Sequence, residues 1–224
     1  MTSLIVQKYG GSSLADAERI KAVARRIARS KNEGNQLVVV VSAMGDTTDD
    51  LIRQANAVTE KPDERELALL LSTGEIVSST LVAMALRSLG YKAISLSGGQ
   101  AGILTDMDYS RARIVAVDPQ RILKELREDN IVIVAGFQGI TEEMDITTLG
   151  RGASDTTAVA LAASLEAEVC AIYTDVDGIY TADPRVVPEA RILEEIDYEE
   201  MLELASYGAK MHPRSIELGA MYNI

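Results

Sequence analysis

Five consecutive apolar residues, 37–41 (Leu-Val-Val-Val-Val), place the strongest constraint on how this chain can fold. A strand with one face in water alternates apolar and polar residues, whereas a run of this kind must be covered on both faces. Such strands belong to parallel or mixed sheets that lie between layers of helices. Shorter apolar runs predict further strands at 4–8, 92–97, 131–135 and 169–173.

Helical patterns separate these strands. The spacing of apolar residues predicts helices around 20–28, 63–89, 119–127, 158–165, 198–206 and 213–219. Ser154 and Asp155 are candidate caps for the fourth of these, and 140–149 has few helix signals and is expected to be extended or a hairpin. Alternation of this kind predicts an α/β fold of doubly wound type, and 224 residues suit one compact catalytic unit.

Composition narrows the possible functions. A net charge of −12 argues against binding to nucleic acids or to anionic membranes, since both favour a basic surface. No apolar stretch approaches 18 residues and the N-terminus lacks the features of a signal peptide, so a cytoplasmic protein is expected. Cys170 is the only cysteine and lies in an apolar run, which favours core packing over a nucleophile.

The segment 8–13, Lys8-Tyr9-Gly10-Gly11-Ser12-Ser13, joins the first strand to the first helix. A cation at a strand end, glycines that let amides approach a ligand and a helix N-terminus together form an anion site. The lysine precedes the glycines, so this is not a Walker A loop. The alternative is an ordinary turn with a solvated lysine.

Two later segments are also candidates. In 150–157, Arg151 could clamp a carboxylate and Asp155 could meet an ammonium group, although a helix cap beside a surface arginine would have the same sequence. The segment 174–185 follows a buried strand directly, where ligand loops lie in open α/β sheets.

Weaker signals accompany them. Gly74 lies inside a predicted helix, where glycine costs about 1 kcal/mol against alanine, so close packing or a close ligand is expected there. His212 is the only histidine and has no Gly-x-Ser-x-Gly elbow, which favours a structural role.

Taken in order, the motifs resemble those of the aspartate kinases, members of the amino acid kinase family. The matching segments are 6–13, 41–43, 72–75, 136–139, 150–156, 174–185 and 208–210, which span nearly the whole chain. Ala153 stands where that family usually has a second glycine, and its methyl group is expected to be tolerated.

The resemblance implies a three-layer α/β/α sandwich with a mostly parallel sheet, an aspartate-binding half at about 1–149 and an ATP-binding half at about 150–224. It implies transfer of the ATP γ-phosphate to the β-carboxylate of L-aspartate, an early step in making lysine, threonine and methionine, with Mg²⁺ held by the ATP phosphates and no direct protein ligand. Lys8 and Asp155 would be catalytic. The aspartate pocket would be lined by Ser42, Thr48, Glu75, Arg151, Ser154 and Asp155. The nucleotide would be held by Lys8, Tyr9, Gly10, Gly11, Ser12, Thr174, Asp175, Tyr180, Asp183, Pro184, Arg185 and Lys210.

These roles require local positive charge, so Lys8, Arg151 and Lys210 are expected to face one common cavity. Aspartate kinases usually continue with another strand and two small regulatory domains, which these 224 residues do not contain. A homo-oligomer or a regulatory-subunit partner is expected for the full-length form, and a form that binds ligands but turns over slowly is one alternative.

Kinases for acetylglutamate, glutamate or a nucleoside monophosphate share the lysine and glycine turn and are the alternatives within this fold, but the combination of 72–75 with 151–155 favours aspartate. Residues 170–178 also imitate the nucleophile motif of haloacid-dehalogenase phosphatases. Only 46 residues follow Gly178, too few for the rest of that domain. These residues do not form an EF-hand either, because the ligand spacing and the closing glutamate of that motif are absent.

Overall fold

A five-stranded parallel sheet forms the centre of the computed structural model, which describes residues 3–150 and 152–224. Its strand order is β3-β6-β2-β1-β9. The strands are β1 (Leu4–Tyr9), β2 (Gln36–Val41), β3 (Ala93–Leu96), β6 (Ile131–Ala135) and β9 (Val169–Tyr173). All five coincide with predicted strands, and the predicted α/β class is confirmed.

A second sheet of four strands, in the order β5-β4-β7-β8, adjoins the first. Its strands are β4 (Ile103–Thr105), β5 (Ile114–Val117), β7 (Gln138–Ile140) and β8 (Ile146–Thr148). β7 and β8 pair antiparallel, which confirms the expected hairpin at 140–149. β4 and β5, which lie between the predicted strand at 92–97 and the predicted helix at 119–127, were not predicted.

Helices cover both faces of the parallel sheet. They are α1 (Ala17–Asn32), α2 (Thr47–Val58), α3 (Glu64–Ser88), α4 (Gln120–Arg127), α5 (Ser154–Ser164), α6 (Tyr198–Ser206) and α7 (Pro213–Tyr222). Six of them agree with the predicted helices within a few residues. α2 was not predicted; none of its residues is fully buried, and its face toward α3 is only half-buried.

Two hydrophobic cores, one on each face, explain the valine run in β2. Val38 and Val40 pack with α4 and α5, whereas Val39 and Val41 pack with α1 and α3. Successive side chains of a strand point to opposite faces, so an uninterrupted apolar run fills both cores. This arrangement gives the three layers that the resemblance implied.

The first turn of α5 differs from the prediction. Its N-cap is Ala153, and Ser154 and Asp155, expected as caps, are instead the first two helical residues and are buried. Asp155 pairs with Lys8 rather than with a backbone amide of its own helix. Ala153 has φ −79°, which any residue adopts, so alanine is tolerated here as expected.

α3 is the one described helix long and apolar enough to cross a membrane, with a mean hydropathy of 1.6 over its most apolar window. Half of that window is buried inside the fold. The helix packs against α1 and β3 and buries the polar side chains of Ser72, Glu75 and Ser78, as expected for a core helix.

Candidate functional site

Lys8 lies near the carboxyl end of β1, between the parallel neighbours β2 and β9. Its Nζ atom is 2.7 Å from Oδ1 of Asp155 in the first turn of α5, and the two side chains are only 12% and 9% exposed. An ion pair this buried gains little stability, because desolvation offsets most of the Coulomb attraction. Its effect here is geometric: Asp155 fixes the position of the lysine ammonium group.

The end of β2 is wedged between two glycines. A Cβ atom at Gly11 would lie 2.5 Å from the carbonyl oxygen of Ala43, and one at Gly74 would lie 2.9 Å from the Cβ of Ala43. Only glycine permits these approaches at both positions. The segments 8–13, 41–43 and 72–75 therefore meet at one point, and the close packing expected at Gly74 is confirmed.

Glu75 is the buried acid of this junction, with 3% of the residue exposed. Its Oε1 accepts a hydrogen bond from the Ala43 amide at 3.0 Å, and its buried Oε2 has no hydrogen-bond partner among the described residues. Burial raises the pKa of Glu75 to about 7. A cationic ligand group at Oε2 would supply the missing partner and favour the ionised form.

These groups line one cavity of about 290 Å³, which we call the Lys8 cavity. It gathers most of the predicted catalytic and aspartate-binding residues: Lys8, Ser42, Thr48, Glu75, Ser154 and Asp155, together with Gly11. Arg151, the remaining predicted member, lies outside the described residues. The structure thus brings together side chains from four separate segments of the chain.

Several lining residues were not predicted as site residues. Asp46 and Asp49 come from the beginning of α2, the missed helix, and Phe137 follows β6. Phe137 has φ 66°, in the left-handed region that bulky residues rarely adopt, and its amide donates to Oγ1 of Thr157 at 3.2 Å. The sequence motif at 136–139 marked this position, but no sequence signal reveals the backbone conformation.

The backbone amides of Gly10 and Gly11 are not equally available to a phosphoryl group. The Gly10 amide donates to the carbonyl of Tyr173 at 3.3 Å, which ties β1 to the end of β9. The expected help from backbone amides to a phosphoryl group therefore rests on Gly11, which lines the Lys8 cavity.

His212 and Cys170 have the structural roles that were expected. Nδ1 of His212 accepts from the Arg214 amide at 3.3 Å and caps α7, and its ring lies 3.1 Å from where a Cβ of Gly152 would be. Burial is the main cause that lowers the pKa of His212. Burial also raises the pKa of the Cys170 thiol to about 12, which makes it a poor nucleophile.

A second cavity, of about 470 Å³, lies between the loop after β9 and the segment after α6; we call it the loop cavity. Five predicted nucleotide-binding residues line it: Tyr180, Asp183, Pro184, Arg185 and Lys210. Leu204 and Tyr207 add an apolar wall that was not predicted.

Ion pairs order the polar residues of the loop cavity. Lys210 Nζ is 3.3 Å from Oδ1 of Asp175, which also accepts from the Thr174 hydroxyl at 3.0 Å. Hydrogen bonds from Arg185 lower the pKa of Asp183 to about 2. Lys8 and Lys210 line different cavities that share no residue, so the expectation of one common cavity is wrong for this pair.

Tyr9 and Thr174 line neither the Lys8 cavity nor the loop cavity. The Tyr9 ring is 1% exposed and stacks on Tyr173 beneath α1, with ring centroids 4.9 Å apart. Side chains alternate along a strand, so Tyr9 faces away from the α5 side of the sheet, toward which Lys8 points. Ser12 contributes its backbone carbonyl to a hydrogen bond from Arg19 and does not line the Lys8 cavity.

Comparison with known proteins agrees with this geometry. The model of the amino acid kinase family matches residues 3–224. An aspartokinase of Corynebacterium glutamicum is 58% identical over 99% of this chain and 53% of that protein. An aspartate kinase from Synechocystis superposes with a TM-score of 0.88 at 50% identity, over 99% of this chain and 37% of that one.

An E. coli aspartokinase III, solved with aspartate and ADP, has a TM-score of 0.83 and 28% identity over 98% of this chain and 60% of that one. The chain spans about half the length of the curated relatives it matches. The family match extends over all but the first two residues of the sequence, and the parallel sheet with helices on both faces is the amino acid kinase fold. The chain belongs to the amino acid kinase family.

Proposed function

We propose that the chain catalyses transfer of the ATP γ-phosphate to the β-carboxylate of L-aspartate, which gives 4-phospho-L-aspartate. One observation supports this most strongly: a single cavity of about 290 Å³ holds a fixed lysine ammonium group and a buried carboxylate oxygen that has no partner in the described part of the chain. A zwitterionic amino acid next to a phosphoryl group needs this pair of charges.

The chemistry suits the residues present. A β-carboxylate has a reference pKa of about 3.9 and is ionised near neutral pH, so no general base is required. The only histidine is used as a helix cap. What the reaction needs is positioning and neutralisation of negative charge, which is the larger part of phosphoryl-transfer catalysis.

Lys8 neutralises charge on the transferring phosphoryl group, and Asp155 keeps its ammonium group in place. Because Asp155 is engaged by Lys8, Glu75 is the better partner for the substrate ammonium group. Ser42, Thr48 and Ser154 line the remaining part of the substrate position. The role of Arg151 as partner of the α-carboxylate remains a prediction.

The loop cavity is the proposed place of the nucleotide, with the cationic groups of Arg185 and Lys210 at its wall. Mg²⁺ supplies further neutralisation of the phosphates when it is bound. We propose that this cation is bound through the ATP phosphates.

The relatives support the choice of amino acid. The Corynebacterium, Synechocystis and E. coli proteins are all named aspartokinase or aspartate kinase, and the E. coli enzyme was solved with aspartate and ADP. We place the protein in the cytoplasm, and we expect the full-length form to be a homo-oligomer or to bind a regulatory subunit.

The test uses the purified 224-residue chain with Mg²⁺ and ATP and a panel of aspartate, glutamate, acetylglutamate and UMP. ADP release is followed by a coupled assay, and acyl phosphate is trapped with hydroxylamine. We expect a hydroxamate with aspartate only. Preference for another acceptor would assign a different kinase of the same fold, and hydrolysis of phosphate esters without ATP would point to a phosphatase. ADP and aspartate binding without turnover would show that this part of the protein binds ligands but does not complete the reaction.

A further inference from the structure

A third cavity, of about 360 Å³, lies between α1 and the ends of β1 and β9. Its lining includes Arg19, Arg26 and Arg29 from α1, and Tyr9 and Tyr173 from the two strand ends. We call it the arginine cavity. It shares no lining residue with the Lys8 cavity or the loop cavity.

Its charge is opposite to that of the whole protein. The chain carries −12, yet α1 has six basic side chains and one acidic one. Arg19 contacts Asp16, Lys21 contacts Glu18 and Lys31 contacts Asp129. Within residues 3–150 and 152–224, Arg26 and Arg29 have no carboxylate within salt-bridge distance.

An aromatic wall holds part of this charge in place. The Arg26 guanidinium lies over the Tyr173 ring, 4.8 Å from its centroid, and Tyr173 stacks on the buried Tyr9 with planes 14° apart. A guanidinium stacked on a ring keeps its N–H groups free for a ligand. Burial raises the pKa of Tyr9, so its phenol stays neutral and its hydroxyl donates to Oε1 of Gln7.

The arrangement selects a class of ligand. Two guanidinium groups without a carboxylate partner, beside a third that is paired with Asp16, supply more charge than a single carboxylate needs, whereas a phosphate or diphosphate group can accept several forked hydrogen bonds at once. Tyr173 already contacts both Tyr9 and Arg26, which leaves little ring surface for a nucleobase. The ligand is therefore recognised through its phosphate oxygens.

From these observations we propose that the arginine cavity is a second anion site, distinct from the proposed catalytic site, that binds a phosphate- or diphosphate-bearing small molecule. Its location gives it a route to catalysis. Tyr9 follows Lys8 in the sequence, and the Tyr173 carbonyl accepts the Gly10 amide. An anion that orders the Tyr9–Tyr173 stack therefore acts on the glycine turn at 8–13 from the side opposite the Lys8 cavity.

Calorimetric titration of a Lys8→Ala, Arg185→Gln, Lys210→Met variant with pyrophosphate tests the proposal, since this variant lacks the cations by which the Lys8 cavity and the loop cavity are proposed to hold phosphate. We expect one remaining site. Adding Arg26→Gln and Arg29→Gln should weaken it at least about tenfold, because two charge-assisted donors are lost. Arg25→Gln is the matched control: Arg25 is exposed on the same helix and does not line the cavity, so binding should change less than about twofold.

Absence of pyrophosphate binding in the variant that lacks Lys8, Arg185 and Lys210 would overturn the proposal, provided that circular dichroism shows the fold intact. Equal weakening by Arg25→Gln and by the double variant would overturn it too, because the helix would then act only as a diffuse basic surface. Acetate that binds as tightly as pyrophosphate would also contradict it. Should the double variant melt early, Arg29→Gln alone must still weaken binding. Separate titrations with phosphate, pyrophosphate and ATP then show whether the group comes from a free anion or a nucleotide.

Discussion

Single residues at the end of β2 hold the Lys8 cavity together. Gly11 and Gly74 leave just enough room for Ala43, and the Ala43 amide then positions Oε1 of Glu75. Ala43 contributes its carbonyl oxygen to the contact with Gly11, its Cβ to the contact with Gly74 and its amide to the hydrogen bond with Glu75. The consequence for Glu75 is a carboxyl group that is buried before any ligand arrives.

Glu75→Gln should change stability in a pH-dependent way. Burial raises the pKa of Glu75 from 4.5 to about 7, so the acid favours the folded state fully below pH 4.5, and that contribution is lost as the pH rises through 7. The Gln variant keeps the hydrogen bond from Ala43 and does not ionise. Relative to the parent it should gain roughly 1–3 kcal/mol between pH 4.5 and 8. Urea unfolding at several pH values measures this, and a difference that does not vary with pH would contradict it.

Lys8→Ala should lower kcat by about 10³-fold, as for the loss of other charge-stabilising cations in phosphoryl transfer. Initial rates with saturating aspartate and ATP measure it. Lys21→Ala is the control, because Lys21 is an exposed lysine paired with Glu18 on α1, and its loss should leave kcat unchanged. An effect confined to the KM for ATP would show that Lys8 binds the nucleotide without acting in the chemical step.

Which residues belong to the site was largely predictable, but their contacts were not. Lys8 and Asp155 were singled out from motif type and spacing, whereas Glu75 came only from the family resemblance. The pairing of Asp155 with Lys8, and not with the α5 backbone, depends on the distance between two elements that are far apart in sequence. The orientation of Tyr9 toward α1 depends on strand alternation, which a glycine motif does not reveal.

At the scale of elements, prediction succeeded where the sequence has an uninterrupted apolar run or a strong helical period. β6 and β9 were located to the residue, since apolar runs bounded by glycine or polar residues define them. α2, in which no residue is fully buried, was missed, and Asp46 and Asp49 were missed with it. Gly74 in α3 correctly predicted close packing at that position.

Gly74→Ala tests that packing. A methyl group 2.9 Å from the Cβ of Ala43 cannot be relieved by a flexible side chain, so the strand end must move. The cost of overpacking, about 1–3 kcal/mol, should exceed the gain of about 1 kcal/mol in helix propensity. We expect a lower Tm and a higher KM for aspartate. Thr73→Ala, one residue away on the exposed side of α3, should leave both the Tm and the KM nearly unchanged. Equal behaviour of the two variants would argue against tight packing of Ala43 between Gly11 and Gly74.

At the scale of the whole molecule, the two substrates are proposed to bind in cavities that share no lining residue. The division at about residue 150 is only approximate, because Gly152, Ser154 and Asp155 from the proposed ATP half line the Lys8 cavity. Lys8 therefore lies in the cavity where substrate and phosphoryl group are proposed to meet, and Lys210, which lines only the loop cavity, is proposed to contact the nucleotide alone.

The rise in Tm on ligand binding can show which cavity binds which ligand. A ligand at 100 times its Kd adds about 2.7 kcal/mol, which for a chain of this size raises Tm by roughly 5–10 °C. Lys210→Met should reduce the shift given by ADP and preserve that given by aspartate, because Lys210 lines only the loop cavity. Thr48→Val, which keeps the side-chain shape, should have the reverse effect, because Thr48 lines only the Lys8 cavity. Thermal melts of both variants with each ligand give four shifts. If each variant reduced both shifts equally, the ligands would share one cavity, and the assignment of the loop after β9 to the nucleotide would fail.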